Sequence, residues 1–198
     1  SQKTVYFLQD HKELDPQSYD RSQGISNLKE SMENDNYKVE KLSLLGKDKI
    51  PPNASVLIIT GPEVALLSQE RQLIEAYIHQ GGKILALLKP QMNSGLEAMF
   101  ERYGFKIGND LVIDPVSHLG NDDVFTPAVN NYPYHEITKD MRSVFTIFPQ
   151  VRSVQLDAKL PEGVTGTRLA LTTPFGWGET SLSDTTKPIK MESDDLKG

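Results

Sequence analysis

Three short stretches carry the side chains best placed for chemistry. Gln9, Asp10 and His11 follow the apolar run TVYFL, Gly61 and Glu63 follow SVLIIT, and Lys89 and Gln91 follow KILALL. In an open parallel sheet, ligands bind in the crevice beyond the carboxyl ends of the strands, so residues just past strand-like runs are the first candidates. Asp10 beside His11 has the side-chain types of an acid–base pair. Neighbours on an extended chain point to opposite sides, however, so only a twist in the loop would bring them together, and capping or surface roles are simpler. Lys89 has the chemistry of an amine nucleophile or an anion-binding group. No cation stands near it in the sequence to activate it, and Pro90 takes the chain off the sheet, which favours a surface lysine. Asp114, after the run LVI, is a fourth strand-end candidate.

The remaining histidines are less directed. His79 falls on the last turn of a helical pattern. His118 lies in a loop with Asp114, Asp122 and Asp123, an oxygen-rich group without EF-hand or H-x-x-x-H spacing, so the sequence predicts a solvated acidic loop and no metal. His135, in NNYPYHEITKDM, suits capping or binding. The candidate ligand-binding set is therefore Gln9, Asp10, His11, Gly61, Glu63, Lys89, Gln91, Asp114 and His135. Neither of the glycine-rich phosphate loops nor a G-x-S-x-G elbow is present, and no cofactor is expected. The chain has no cysteine, which removes thiol catalysis, disulfides and thiolate–zinc sites.

These residues need a scaffold, and the first half of the chain supplies one. Thr4–Leu8, Tyr37–Leu44, Ser55–Thr60 and Lys83–Leu88 read as strands, the second of them exposed or at an edge and the last central. A helix is predicted around Gly24 to Glu33. Another begins at Ser68 as N-cap, with Glu70 in its first turn and Leu73, Ile74, Tyr77 and Ile78 as its apolar stripe. Gly81 and Gly82 suit a left-handed cap. A further helix follows Ser94, with Leu96, Met99, Phe100 and Tyr103 inward and Gly104 as its stop. Phe105–Ile107 and Leu111–Ile113 read as short strands around the turn GND.

Such alternation predicts an α/β doubly wound fold of the flavodoxin-like class, a parallel sheet with helices on both faces, over residues 1–114. Residues 115–198 read as a loop-rich extension completing the same domain, with short strands at Val144–Phe148, Ser153–Leu156 and Thr167–Thr172. The last stretch, GWGETSLSDTTKPIKMESDDLKG, lacks a core pattern and reads as a long loop or tail.

Composition narrows the function classes. The 198 residues are 37% hydrophobic and 24% charged, with a net charge of −6. An acidic chain without a basic stripe argues against nucleic acid and anionic membrane surfaces as partners. The longest apolar run falls well short of the ~20 residues that span a bilayer.

The stretch LIITGPEVALLSQERQLIEAYIHQGGKILALLKP, followed by GLEAMFERYGFKIGNDLVIDP, YPYHEITKDM and TIFPQVRSV, resembles the auxiliary components of ABC-type transport systems. It is the GldG-like family, linked in some bacteria to gliding motility. The resemblance runs from about residue 4 to 198 and rests on the joint order of these pieces. It implies a fold similar to class I glutamine amidotransferases, without the cysteine in G-x-C-x-G which that chemistry needs. The family's usual aspartate before the proline is Lys89 here. Also implied are an extracytoplasmic (periplasmic) domain of an inner-membrane protein, a membrane-anchored full-length chain continuing past DLKG, and partnership with ABC permease and ATPase subunits.

Together these readings lead to a non-enzymatic interaction or ligand-sensing domain, its ligand an envelope glycan or peptide. One rival is a hydrolase using Asp10, His11 or Asp114, which requires those side chains to converge. The other is a carbohydrate-binding module, which requires an exposed aromatic such as Trp177 or Tyr134.

Overall fold

Four apolar runs in the first half of the chain pair edge to edge as a parallel sheet: β1 (Lys3–Leu8), β2 (Tyr37–Leu42), β3 (Ala54–Thr60) and β4 (Ile84–Leu87). The computed structural model describes residues 2–20, 22, 24–120, 123–181, 191 and 195–197. The strand order is β2-β1-β3-β4, so the chain reverses its winding direction between β1 and β3. Register places Tyr6 beside Leu57 and Phe7 beside Ile58. Val5, Phe7 and Ile58 face one side, where Ile25 and Met32 from the start and body of α1 (Ser26–Asn34) pack against them. Tyr6, Leu8, Leu57 and Ile59 alternate with these and are equally buried, so the centre of the sheet is covered on both faces.

The helix α2 (Ser68–His79) buries Ile74 completely, and the Tyr77 hydroxyl donates to the Ala54 carbonyl at 3.3 Å. Ser68 is not its N-cap, as expected, but its first helical residue. Leu67 holds the cap position with extended dihedrals and no polar side chain. The orphan Leu67 N–H is satisfied instead by the Glu70 carboxylate at 2.8 Å, one half of a capping box. At the other end, Gly82 N–H donates to Tyr77 O at 2.8 Å and Gly81 N–H to Ile78 O at 2.9 Å, the paired bonds of a Schellman motif. Only Gly81 is left-handed, at φ +85°. Gly82 is glycine for a different reason: a Cβ there would lie 2.4 Å from the Tyr77 ring.

The run KILALL is not a central strand. β4 lies at the edge of the sheet, with Leu85 and Leu87 exposed on one face. The edge position of β2 is as expected.

The chain divides into two compact units, Ser1–Met99 and Phe100–Gly198. The short helix α3 (Glu97–Glu101) spans the division. Its entry is a Ser94–Glu97 box, in which Ser94 Oγ accepts from Leu96 N–H at 3.1 Å and Glu97 Oε1 accepts from Ser94 N–H at 3.0 Å. Leu96 and Met99 are buried, and Gly104 stops the turn at φ +84°.

The second unit is antiparallel. β5 (Phe105–Ile107) pairs with β10 (Val154–Leu156), and β6 (Leu111–Ile113) pairs with β11 (Trp177–Glu179), which also pairs with β12 (Leu196–Lys197). β8 (Asp123–Val129) lies between β7 (His118–Leu119) and β9 (Thr146–Ile147). In place of the strand expected over Thr167–Thr172 there is one isolated bridge, Asn131 to Leu171. The expectation of a coreless tail fails at Trp177–Glu179, all three of which are buried. Gly178 is what allows it, since a Cβ there would lie 2.2 Å from an Asp110 carboxylate oxygen. The rest of the stretch, 182–190 and 192–194, lies outside the described residues.

The two glycines at the end of α2 separate two mechanisms. Gly82→Ala should cost about 1–3 kcal/mol through overpacking against Tyr77, whereas Gly81→Ala should cost about 1–2 kcal/mol through left-handed strain. Adding Tyr77→Leu should restore much of the first loss and none of the second, as read by urea denaturation.

Candidate functional site

The winding reversal between β1 and β3 is where a doubly wound sheet normally opens a crevice. Here the two flanking loops are joined. Leu14 N–H donates to Thr60 O at 3.0 Å, and Glu63 and Val64 N–H donate to His11 O at 2.9 and 3.2 Å. His11 points inward and is only 4% exposed. Its Nε2 lies 2.9 Å from Glu70 Oε2, and its Nδ1 lies 3.3 Å from Glu13 Oε1. Both glutamates are buried, and Glu13 Oε2 also accepts the His11 backbone N–H at 2.7 Å. Gln9 is likewise turned onto the backbone, its amide donating to Leu8 O at 2.6 Å. His11 and Asp10 therefore do not form an acid–base pair: the imidazole faces two buried glutamates while Asp10 is exposed.

What remains open is the outer rim. Four residues there adopt left-handed backbone conformations: Asp10 (φ 93°), Lys12 (φ 61°), Gly61 (φ 62°) and Gln91 (φ 57°). For side chains other than glycine such conformations are strained and cluster at ligand-facing loops. Lys89 lies across Gly61, its Cε 3.0 Å from where a Cβ would stand, and its Nζ pairs with Glu63 Oε1. Lys89 and Glu63 are each about one-third exposed. The Lys89 hydrogen bond holds the Glu63 carboxyl below its usual range, and the Lys12 charge adds to this. Gly61, Glu63 and Lys89 are thus brought together, with Gln91 two residues beyond Lys89 and with Lys12, which sequence reasoning did not single out, on the adjoining loop.

The other candidates lie in the second unit. Asp114 is 1% exposed, and its carboxylate is an internal anchor. It accepts from the N–H groups of Val116, Ser117 and Thr173 and from the Thr173 hydroxyl, at 2.8–3.0 Å. His135 caps a turn, its Nδ1 accepting from Ile137 N–H at 3.1 Å. In the acidic loop, Asp123 accepts from the Thr126 hydroxyl, while Asp122 lies outside the described residues. Among the described residues, no group of three His, Asp or Glu side chains could hold a metal ion. Trp177 is buried, its indole N–H donating to Glu179 at 3.3 Å. Tyr134 is exposed, with the Arg142 guanidinium 5.4 Å above its ring.

Sequence reasoning also missed Glu13 and Glu70 as partners of His11. Spacing was no guide, because Lys12 between His11 and Glu13 is left-handed and the alternation of an extended chain does not apply.

Over residues 2–197 the sequence matches the family described as "ABC-type uncharacterized transport system". Among solved structures, the chain is similar to one titled "mmIFT52 N-terminal domain", with 17% identity and a TM-score of 0.63. The alignment covers 87% of this chain and 74% of that one, and at such identity the likeness concerns the fold alone. No curated protein matches the sequence. Among the described residues, no helix is long and apolar enough to cross a membrane.

Removing the imidazole leaves two carboxylates buried without their partner. His11→Ala should therefore lower stability by about 3–5 kcal/mol, measured by urea denaturation, while Asp10→Ala should change it by about 0.5 kcal/mol or less. The depressed carboxyl of Glu63 means that its ion pair persists above the ordinary carboxylate range and is lost as pH falls through the lowered value. Lys89→Met should raise the Glu63 midpoint toward the ordinary range, leaving the residual Lys12 effect, in a carboxyl-carbon NMR titration.

Proposed function

Because the chain belongs to the ABC-type uncharacterized transport system family, as an auxiliary component, we propose that it is a non-enzymatic binding domain of such a transporter. In this reading it is GldG-like, with an amidotransferase-related fold, stands on the extracytoplasmic side of the inner membrane, and works with the permease and ATPase subunits in a cell-envelope process such as gliding motility. The observation that carries the non-enzymatic part is the engagement of His11 by Glu13 and Glu70 where a doubly wound enzyme would open its crevice. Two further features support it. Asp114, the other carboxylate a hydrolase could use, spends its acceptor capacity on loop N–H groups and Thr173. The amidotransferase nucleophile is absent, because the chain has no cysteine.

A carbohydrate-binding module is less well supported, since Trp177 is buried and Arg142 already covers one face of Tyr134. An envelope peptide is the better ligand class, because the rim presents charges of both signs within reach of backbone groups.

Affinity purification of the full-length protein from its native membrane should recover a permease and an ATPase subunit. Their absence from cross-linked membranes would overturn the transporter assignment. Ester and amide substrates should be turned over no faster by the wild type than by Asp10→Asn, and a clear difference between the two would restore the hydrolase.

A further inference from the structure

We propose that Lys12, Glu63 and Lys89 form a carboxylate site, which Glu63 fills in the free chain and which the carboxylate of a ligand takes over on binding. The inference rests on the reading of this domain as a binding module and names the ligand group that it takes.

Three strand-end loops contribute one charged side chain each: Lys12 after β1, Glu63 after β3 and Lys89 after β4. The Glu63 N–H bond to His11 O sets the Lys12 loop beside the Glu63 loop. Lys89 reaches the same carboxylate across Gly61, a position where any side chain would obstruct its stem. The Glu63 carboxylate is therefore paired with the Lys89 ammonium, with Lys12 on the adjoining loop. The pair lies at the end of the sheet where parallel α/β folds bind ligands.

The structure also shows why the occupant can be exchanged. Glu63 and Lys89 are each about one-third exposed, and an ion pair so accessible to water contributes little, so a second carboxylate competes with Glu63 on nearly equal terms. His11, in contrast, is enclosed by Glu13 and Glu70 and does not take part. Asp10 is exposed on the same loop as Lys12 and brings a second negative charge to the rim. That charge disfavours a doubly ionised phosphate more than a singly charged carboxylate. The group already seated there, a planar carboxylate on a flexible stem, is the closest mimic of a peptide C-terminus or an acidic side chain.

The test is an amide NMR titration of the 198-residue chain with sodium acetate, with acetamide and inorganic phosphate as parallel arms. Total salt is held at about 0.1 M, where the Debye length is about 10 Å, so that general screening is constant. Acetate should produce saturable shifts at Gly61, Glu63, Lys89 and Gln91, acetamide should produce none, and phosphate should bind more weakly than acetate. Glu63→Gln removes the resident competitor and should tighten acetate binding by up to about fivefold, the factor an exposed ion pair is worth. Lys89→Gln should abolish saturation, and Lys12→Gln should weaken it. Equal acetate binding by Glu63→Gln and wild type, phosphate binding tighter than acetate, or no saturable shift in either protein would each overturn the proposal. If transporter subunits fail to co-purify while Glu63→Gln still tightens acetate binding, the carboxylate site stands and the transporter assignment falls. The reverse pattern separates them the other way.

Discussion

At the carboxyl end of β1, one imidazole and two carboxylates share an environment with almost no access to water, and much of the surrounding conformation serves to satisfy them. A buried carboxylate without a partner is costly, so Glu13 and Glu70 demand donors that the interior must supply. His11 sets Nε2 against Glu70 and donates its backbone N–H to Glu13, while Leu67 N–H serves Glu70. His11 Nδ1 lies 3.3 Å from Glu13 Oε1 without a hydrogen bond, and Glu70 Oε1 also has no partner among the described residues. For His11 to reach inward between them, the residues on either side of it must turn. Asp10 and Lys12 do so by adopting left-handed conformations that cost on the order of 1–3 kcal/mol each. The same cluster ties the first turn of α2 to the end of β1, because Glu70 is at once a helix-cap acceptor and the partner of His11. Strand, loop and helix are fixed by one set of polar contacts.

The second unit uses carboxylates in a related way. Apart from β8 its strands are only two or three residues long, so many backbone groups must be satisfied outside a sheet. Asp110 accepts both the N–H and the hydroxyl of Ser153, at 2.8 and 2.6 Å, and is packed between Gly108 and Gly178. Asp114 takes three N–H groups from two separate loops. These two side chains replace the regular hydrogen bonding that longer strands would have provided.

This difference explains which parts of the fold could be read in the sequence. TVYFL, SVLIIT and the Leu73–Ile78 stripe announce themselves because their burial pattern is local and periodic. KILALL shows the limit of that signal: continuous aliphatic residues identify a strand but not its rank in the sheet, and β4 lies at the edge with Leu85 and Leu87 exposed. Trp177–Glu179 was illegible because its burial depends on Gly178 meeting Asp110, a residue far away in sequence. Glu13 and Glu70 were missed because isolated acidic residues are ordinarily solvated. The proximity of Gly61, Glu63 and Lys89 was legible from strand-end position alone. The inward turn of His11 was not, because it depends on left-handed backbone at Asp10 and Lys12 and on a glutamate from another element.

The enclosure of His11 has a consequence for how such a fold can bind anything. A doubly wound sheet usually receives its ligand between the loops that follow the strands flanking the winding reversal. In this chain those loops are hydrogen-bonded to one another through Leu14, Thr60, His11 and Glu63, and the space beneath them holds His11. Opening that space would break the contacts of His11 with Glu13 and Glu70 and the Glu63 and Val64 N–H bonds to His11 O, so the interior resists it. The outer rim faces no such penalty. Water already reaches its Lys89–Glu63 pair, so that contact can be exchanged for an equivalent one at little net cost. On the proposed reading, binding therefore falls to the rim, where charge and loop geometry set what is received.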